Sequence, residues 1–160
     1  MIATTTLYVA YGSNLNLAQM ARRCPAAQAI GPVWVRDWRL VMRGVADIEP
    51  RIDDVVPAGL WEITPACERA LDTYEGYPRL YIKRDVIVHL ANGETAVAMA
   101  YVMRYGRVLP YAPAHQGYLG TIREGYQDFG LESHLETLWH AQRRALRSQN
   151  RSTTRPQKRA

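Results

Sequence analysis

Cysteine is scarce: Cys24 and Cys67 are the only two in 160 residues, and they form no CxxC pair. That excludes a disulfide scaffold and a zinc knuckle, and it fits a reducing cytoplasm. No apolar run approaches the roughly 18–20 residues of a membrane helix, so no membrane partner is expected. The opening residues, Met1-Ile2-Ala3-Thr4, show no basic region followed by an apolar stretch, which argues against secretion. There is no GxxxxGKS/T phosphate loop and no GxSxG elbow. Of the four histidines, His89, His115 and His134 form no ligand pattern, so no metal is expected from them.

What is present is a chain of one-domain length in which 48% of residues are hydrophobic, enough for a packed core. The net charge of +5 is unevenly placed. Residues 142–160 hold seven basic residues and no acid, while 1–141 carry 13 basic and 15 acidic residues. The body is therefore mildly acidic and the end basic. That end, 148–160, is rich in Ser, Asn, Thr, Arg and Gln and reads as a disordered tail after a single domain over 1–147. It lacks interleaved aromatics. A solvated, weakly attractive tail is favoured over one that binds nucleic acid.

Along the chain, Thr5 to Tyr11 is β-branched and aromatic and reads as a buried strand broken by Gly12-Ser13-Asn14. Leu15 to Cys24 reads as a short helix, with Leu17, Met20 and Ala21 at helical spacing and Pro25 beyond its end. Val33 to Met42 is a strand, Gly44 to Pro57 a loop, and Ala58 to Ile63 a third strand. Thr64-Pro65 starts a helix, with Thr as N-cap and Pro in the first position, and Gly76 ends it. Two strands, Leu80 to Leu90 and Thr95 to Arg104, meet at Asn92-Gly93, the strongest hairpin signal in the chain. Helices are expected near His115–Phe129 and Leu131–Leu146. The second carries an apolar stripe of Leu131, Leu135, Leu138, Trp139, Ala145 and Leu146, long enough to serve a homodimer as well as a core. Strands that cluster, with helices inserted and appended, predict an α+β fold whose mixed or antiparallel sheet can curl into a barrel.

Two places carry chemical promise. In Tyr11-Gly12-Ser13-Asn14-Leu15, Gly12 admits a backbone conformation closed to other residues, and Ser13 or Asn14 can cap the helix that follows. Free N–H groups there attract a carboxylate, although an ordinary capped turn has the same sequence. In Leu71-Asp72-Thr73-Tyr74-Glu75-Gly76-Tyr77, Glu75 falls at a helix C-terminus, where the dipole disfavours negative charge. Tyr74, Tyr77 and Tyr81 can shield it from water. Both effects raise a carboxyl pKa toward that of a general acid/base, although a helix-end Glu is more often a solvated surface residue. Glu132, Glu136 and His140 recur every fourth residue, which describes a polar outer face better than a metal site. The cysteines read as buried small apolar residues.

The string LYVAYGSNL, residues 7–15, resembles the opening motif of the gamma-glutamylcyclotransferase family. Further landmarks follow in the family's order: Gly44-Val45-Ala46-Asp47-Ile48, Ala58-Gly59-Leu60-Trp61-Glu62-Ile63, Leu71-Asp72 through Glu75-Gly76 to Tyr81, and Tyr118, Ile122, Gly125 and Gly130-Leu131. The resemblance covers roughly residues 6–132. It implies a small mixed β-barrel with flanking helices, acting without a cofactor on a small-molecule gamma-glutamyl substrate and releasing 5-oxoproline by internal cyclisation. It also implies Glu75 as the catalytic acid/base. The substrate site it implies comprises Tyr8, Val9, Ala10, Tyr11, Gly12, Ser13 and Asn14, with Tyr118 and Tyr81 closing the pocket through their hydroxyls. Asp47 stands where many relatives carry Asn or Thr. If the acidic Gly44–Pro57 loop rims the pocket, a cationic leaving group is favoured. A non-catalytic binding module of the same fold is the rival expectation, ranked lower because Glu75 is present.

Overall fold

A computed structural model describes residues 4–154. Five strands close into a barrel. They are Thr6–Ala10 (β1), Gln28–Met42 (β2), Ala46–Ile63 (β3), Tyr81–Leu90 (β4) and Thr95–Met103 (β5), in the order β1-β3-β2-β4-β5. All pairings are antiparallel except β1 with β5, which meet in parallel at Tyr8 and Met99. Closure leaves no sheet edge, and the expected mixed barrel is what forms. Val33, Val35, Val56, Ala58, Val88 and Ala100 are among the residues buried in it.

The stretch from Gly44 to Pro57 departs from expectation. Beyond a bend at Gly44-Val45 it is not a loop ahead of a separate short strand, because β3 runs from Ala46 through to Ile63. Its partner β2 pairs with it from Gln28–Glu62 to Met42–Ala46, and those ladder bonds outweigh the poor local strand preference of Asp and Pro. Only residues 51–54 leave the ladder, bulging opposite Asp37 alone. Asp37 and Asp53 adopt positive φ values of 62° and 69° there, and the Asp53 N–H donates to Asp37 Oδ1 at 3.0 Å.

The expected Leu15–Cys24 helix is split. A 3₁₀ turn at Ser13–Leu15 comes first, and the α-helix Leu17–Arg23 (α1) follows. Asn16 caps it, accepting from the Gln19 N–H at 3.0 Å, so neither Ser13 nor Asn14 does. Both are left free for other contacts. The next helix, Pro65–Glu75 (α2), matches its sequence signals: Thr64 accepts from the Cys67 N–H at 3.2 Å, and Gly76 ends it with φ 63°. The β4–β5 hairpin turns at Asn92-Gly93 as read, with Gly93 at φ 88°.

Gln116–Asp128 (α3) packs against the 3₁₀ turn, and Leu135–Thr153 (α4) packs on β2. On α4 the stripe holds for Leu138 and Ala145, but Leu146 is exposed. Gln142 lies buried instead, bonded to both backbone groups of Ala114 at 2.9 and 3.0 Å. Residues 148–153, expected as disordered tail, continue this helix, and 155–160 lie outside the described residues. Glu136 and His140 are solvated, Glu136 pairing with Arg143 at 3.1 Å, and no metal-binding cluster occurs among the described residues. Cys24 and Cys67 are buried and free. Among the described residues no helix is long and apolar enough to cross a membrane.

Candidate active site

Where β1 runs into the 3₁₀ turn, the barrel mouth opens into a cavity of about 220 Å³. One wall is Tyr8, Tyr11, Gly12, Ser13 and Asn14. Tyr74 and Glu75 from the end of α2 face it, together with Leu80 and Tyr81. Val45, Ala46, Tyr101 and Tyr118 complete the lining. Residues separated by more than a hundred positions thus converge on one hollow. Val9 and Ala10 fall outside the lining: they are buried in the barrel, paired with Leu60 and Gly59. Tyr77 stays outside as well, 40% exposed with its ring against Lys83 at 4.4 Å.

Glu75 is the only carboxylic acid in that lining. Burial raises its carboxyl from an ordinary 4.5 to about 7, and the Arg23 charge pulls the other way. Its Oε1 accepts from Asn14 Nδ2 at 3.3 Å, and the same amide donates to the Tyr8 hydroxyl at 3.0 Å. Ser13 Oγ and the Tyr74 hydroxyl lie 2.9 Å apart, tying the turn to the end of α2 on a second line.

The tyrosine hydroxyls differ in what they have left to give. Tyr11 donates to the Tyr101 carbonyl at 2.5 Å, Tyr81 to the Ala46 carbonyl at 2.7 Å, and Tyr101 to Asp72 Oδ1 at 2.6 Å. Tyr118 instead accepts from the Ala46 N–H at 3.0 Å, which leaves its own proton uncommitted. The amides of Gly12, Ser13 and Asn14 find no acceptor among the described residues. Gly12 itself has φ −118°, so a left-handed backbone is not its reason for being glycine. Close approach is: a Cβ there would meet the Ala46 Cβ at 3.2 Å and the Tyr118 hydroxyl at 3.4 Å.

The acidic residues of β3 do not rim the cavity. Asp47 is buried, accepting from the Met103 N–H and from Arg43 Nε, each at 3.0 Å. Glu49 is held by Arg39 at 2.7 Å and Arg43 at 3.0 Å. These carboxylates are neutralised within the fold, so the expected preference for a cationic leaving group loses its basis. Arg23, Tyr101 and Leu80 were not legible as site residues. Tyr101 sits mid-strand among core residues, and Arg23 reads as one of several solvated helix charges.

A closed five-stranded barrel with helices around one tyrosine-lined mouth defines a class of fold. The chain belongs to the gamma-glutamyl cyclotransferase, AIG2-like family, whose model matches residues 8–126. Among solved structures, one titled gamma-glutamyl cyclotransferase is 24% identical and superposes with a TM-score of 0.78, over 86% of this chain and 88% of its own. An uncharacterized protein from Homo sapiens is 26% identical with a TM-score of 0.72, over 79% and 81% of the two chains. An AIG2-like protein from Mus musculus is 17% identical with a TM-score of 0.55, over 67% and 85%. No curated protein matches the sequence. Family and fold support a gamma-glutamyl cyclotransferase-like activity.

Proposed function

We propose that this protein releases 5-oxoproline and a free amine or amino acid from a gamma-glutamyl compound. The nucleophile is the substrate's own α-amine, which attacks the γ-carbonyl. No side-chain nucleophile is required. Holding the two groups in near-attack geometry can supply up to about 7–11 kcal/mol of barrier lowering.

Glu75 is assigned the proton transfers. As a carboxylate it accepts a proton from the α-ammonium, and the freed amine closes the five-membered ring onto the carbonyl carbon. The C–N bond to the leaving group then breaks as Glu75 returns protons to the departing nitrogen. Two protons pass in total from the attacking nitrogen to the leaving one, which departs as an ammonium. Glu75 ends as it began. A group that titrates near 7 is matched to both directions of this shuttle.

The developing oxyanion and the substrate carboxylate require donors. The amides of Gly12, Ser13 and Asn14 and the uncommitted proton of Tyr118 are assigned to them. The single observation that carries the reading is the poorly solvated Glu75 carboxyl facing the Gly12–Asn14 turn across one small cavity. Glu75→Gln tests it: the variant is expected to bind a gamma-glutamyl amide while losing turnover by orders of magnitude. Near-normal 5-oxoproline release by that variant refutes the assignment.

A further inference from the structure

Arg23 closes α1, seven residues beyond Asn16 in the chain, and it does not line the cavity. Its guanidinium nevertheless meets the site twice. Nη1 donates to Asn14 Oδ1, and the Cζ atom lies 3.3 Å above the centre of the Tyr74 ring. Tyr74 in turn shares a hydrogen bond with Ser13. Both polar side chains of the Gly12–Asn14 turn are therefore tied to one cation.

We propose that Arg23 is a positioning residue of this site, fixing the Asn14 amide so that its NH₂ group faces Glu75 and Tyr8. The inference rests on the reading of Glu75 as the acid/base. An asparagine amide can flip, exchanging its oxygen and nitrogen. Arginine has no acceptor, so the atom turned toward Arg23 must be the oxygen. The nitrogen is then forced to the opposite side, where a carboxylate and a phenol oxygen await a donor. The flipped amide would set its oxygen against the Glu75 carboxylate and repel it.

The guanidinium is suited to this task in a way an ammonium is not. Its flat face stacks on Tyr74 while its edge donates to Asn14. Its position in the last turn of α1 is favoured by the helix dipole. Tyr8 from β1, Tyr11 just after it, Tyr81 from β4 and Tyr118 from α3 face Glu75 as neutral phenols, so Arg23 is the cation that acts on its charge. Asp47, a carboxylate buried in β3, is paired with Arg43.

The test uses Arg23→Met, which keeps much of the stem and removes charge and donors, beside Arg23→Lys, which keeps the charge. The Glu75 carboxyl is followed by ¹³C NMR titration in the full-length protein, its signal assigned by absence from Glu75→Gln. Arg23→Met is expected to move that titration upward by about one pH unit, with Arg23→Lys recovering part of the shift. The acidic limb of the kcat/KM profile should move in parallel. Asn14→Ala should diminish the additional effect of Arg23→Met, leaving only the direct pull of the Arg23 charge on Glu75. An unmoved titration in either folded variant overturns the inference, and so does an Arg23→Met effect undiminished in the Asn14→Ala background. The titration requires no turnover, so it stands whether or not 5-oxoproline is the product.

Discussion

Tyr81 and Tyr118 grip the two backbone groups of Ala46 in opposite senses, Tyr81 donating to its carbonyl at 2.7 Å and Tyr118 accepting from its N–H at 3.0 Å. The direction of each bond separates two hydroxyls that both line the cavity. Tyr81 has given its proton to the protein. Tyr118 has not.

From that difference, Tyr118→Phe should lower kcat about ten- to a hundredfold, the equivalent of roughly 1.4–2.7 kcal/mol of transition-state stabilisation. Tyr81→Phe should leave kcat within a few-fold of wild type. Its cost falls on folding, because a buried carbonyl loses its partner, at about 1–3 kcal/mol. Steady-state kinetics and urea denaturation on the same two variants separate the roles. Equal losses of kcat would mean that hydroxyl direction is irrelevant.

The Glu75 carboxyl also makes stability depend on pH. Its native pKa of about 7 lies above the ordinary 4.5. Between those values the native state keeps a proton that the unfolded chain has released. The contribution is thus fully present below about 4.5 and is lost as pH rises through 7, a change of about 3 kcal/mol at one pKa unit per 1.36 kcal/mol. Glu75→Gln, which is neutral throughout, should therefore exceed wild type in stability at pH 8 and match it near pH 4. Denaturant melts of both proteins across that range check the sign. A Gln variant less stable than wild type at pH 8 would contradict it.

Local signals fixed what local physics decides. Thr64-Pro65 and Gly76 bracket α2, and Asn92-Gly93 turns the hairpin, because capping and turn geometry are written in a few adjacent residues. The site was legible where its residues are contiguous, as in Tyr11 to Asn14, or where helix-end placement and nearby tyrosines marked Glu75. Residues 46–57 were misread because their strand character comes from β2, a partner that no local window contains. Arg23 was missed for a related reason. Its link to Asn14 spans nine positions and joins the end of α1 to a 3₁₀ turn that helical spacing does not predict.

Asp47 offers a test of where the acidic charge of β3 acts. It is buried with Arg43, whose side chain is only 9% exposed, and it also accepts from the Met103 N–H. Asp47→Ala leaves the buried Met103 N–H without its acceptor, while Arg43 keeps Glu49 as an ion partner, at an expected cost of about 1–3 kcal/mol. The preference between gamma-glutamyl-putrescine and gamma-glutamyl-alanine should stay unchanged in whatever fraction remains folded. A selective loss of the putrescine compound would return Asp47 to the cavity rim.

Gly125 sets the distance between α3 and the turn that carries Ser13 and Asn14. A Cβ at this position would lie 2.5 Å from the Leu15 Cβ and 2.7–2.8 Å from the backbone of Leu15 and Asn16. Neither contact can be relieved by rotating a side chain. The helix or the 3₁₀ turn must move instead. Gly125→Ala would gain helix propensity of up to about 1 kcal/mol at an exposed site, so a net loss here isolates the clash. We expect a destabilisation of about 1–3 kcal/mol, the usual cost of overpacking. Activity should fall beyond what the unfolded fraction explains, because the same displacement moves the Gly12–Asn14 amides and the Asn14 side chain away from Glu75. Thermal melts and kinetics at a temperature where the variant is fully folded distinguish the two effects. A variant as stable and as active as wild type would show that α3 does not hold the turn in place.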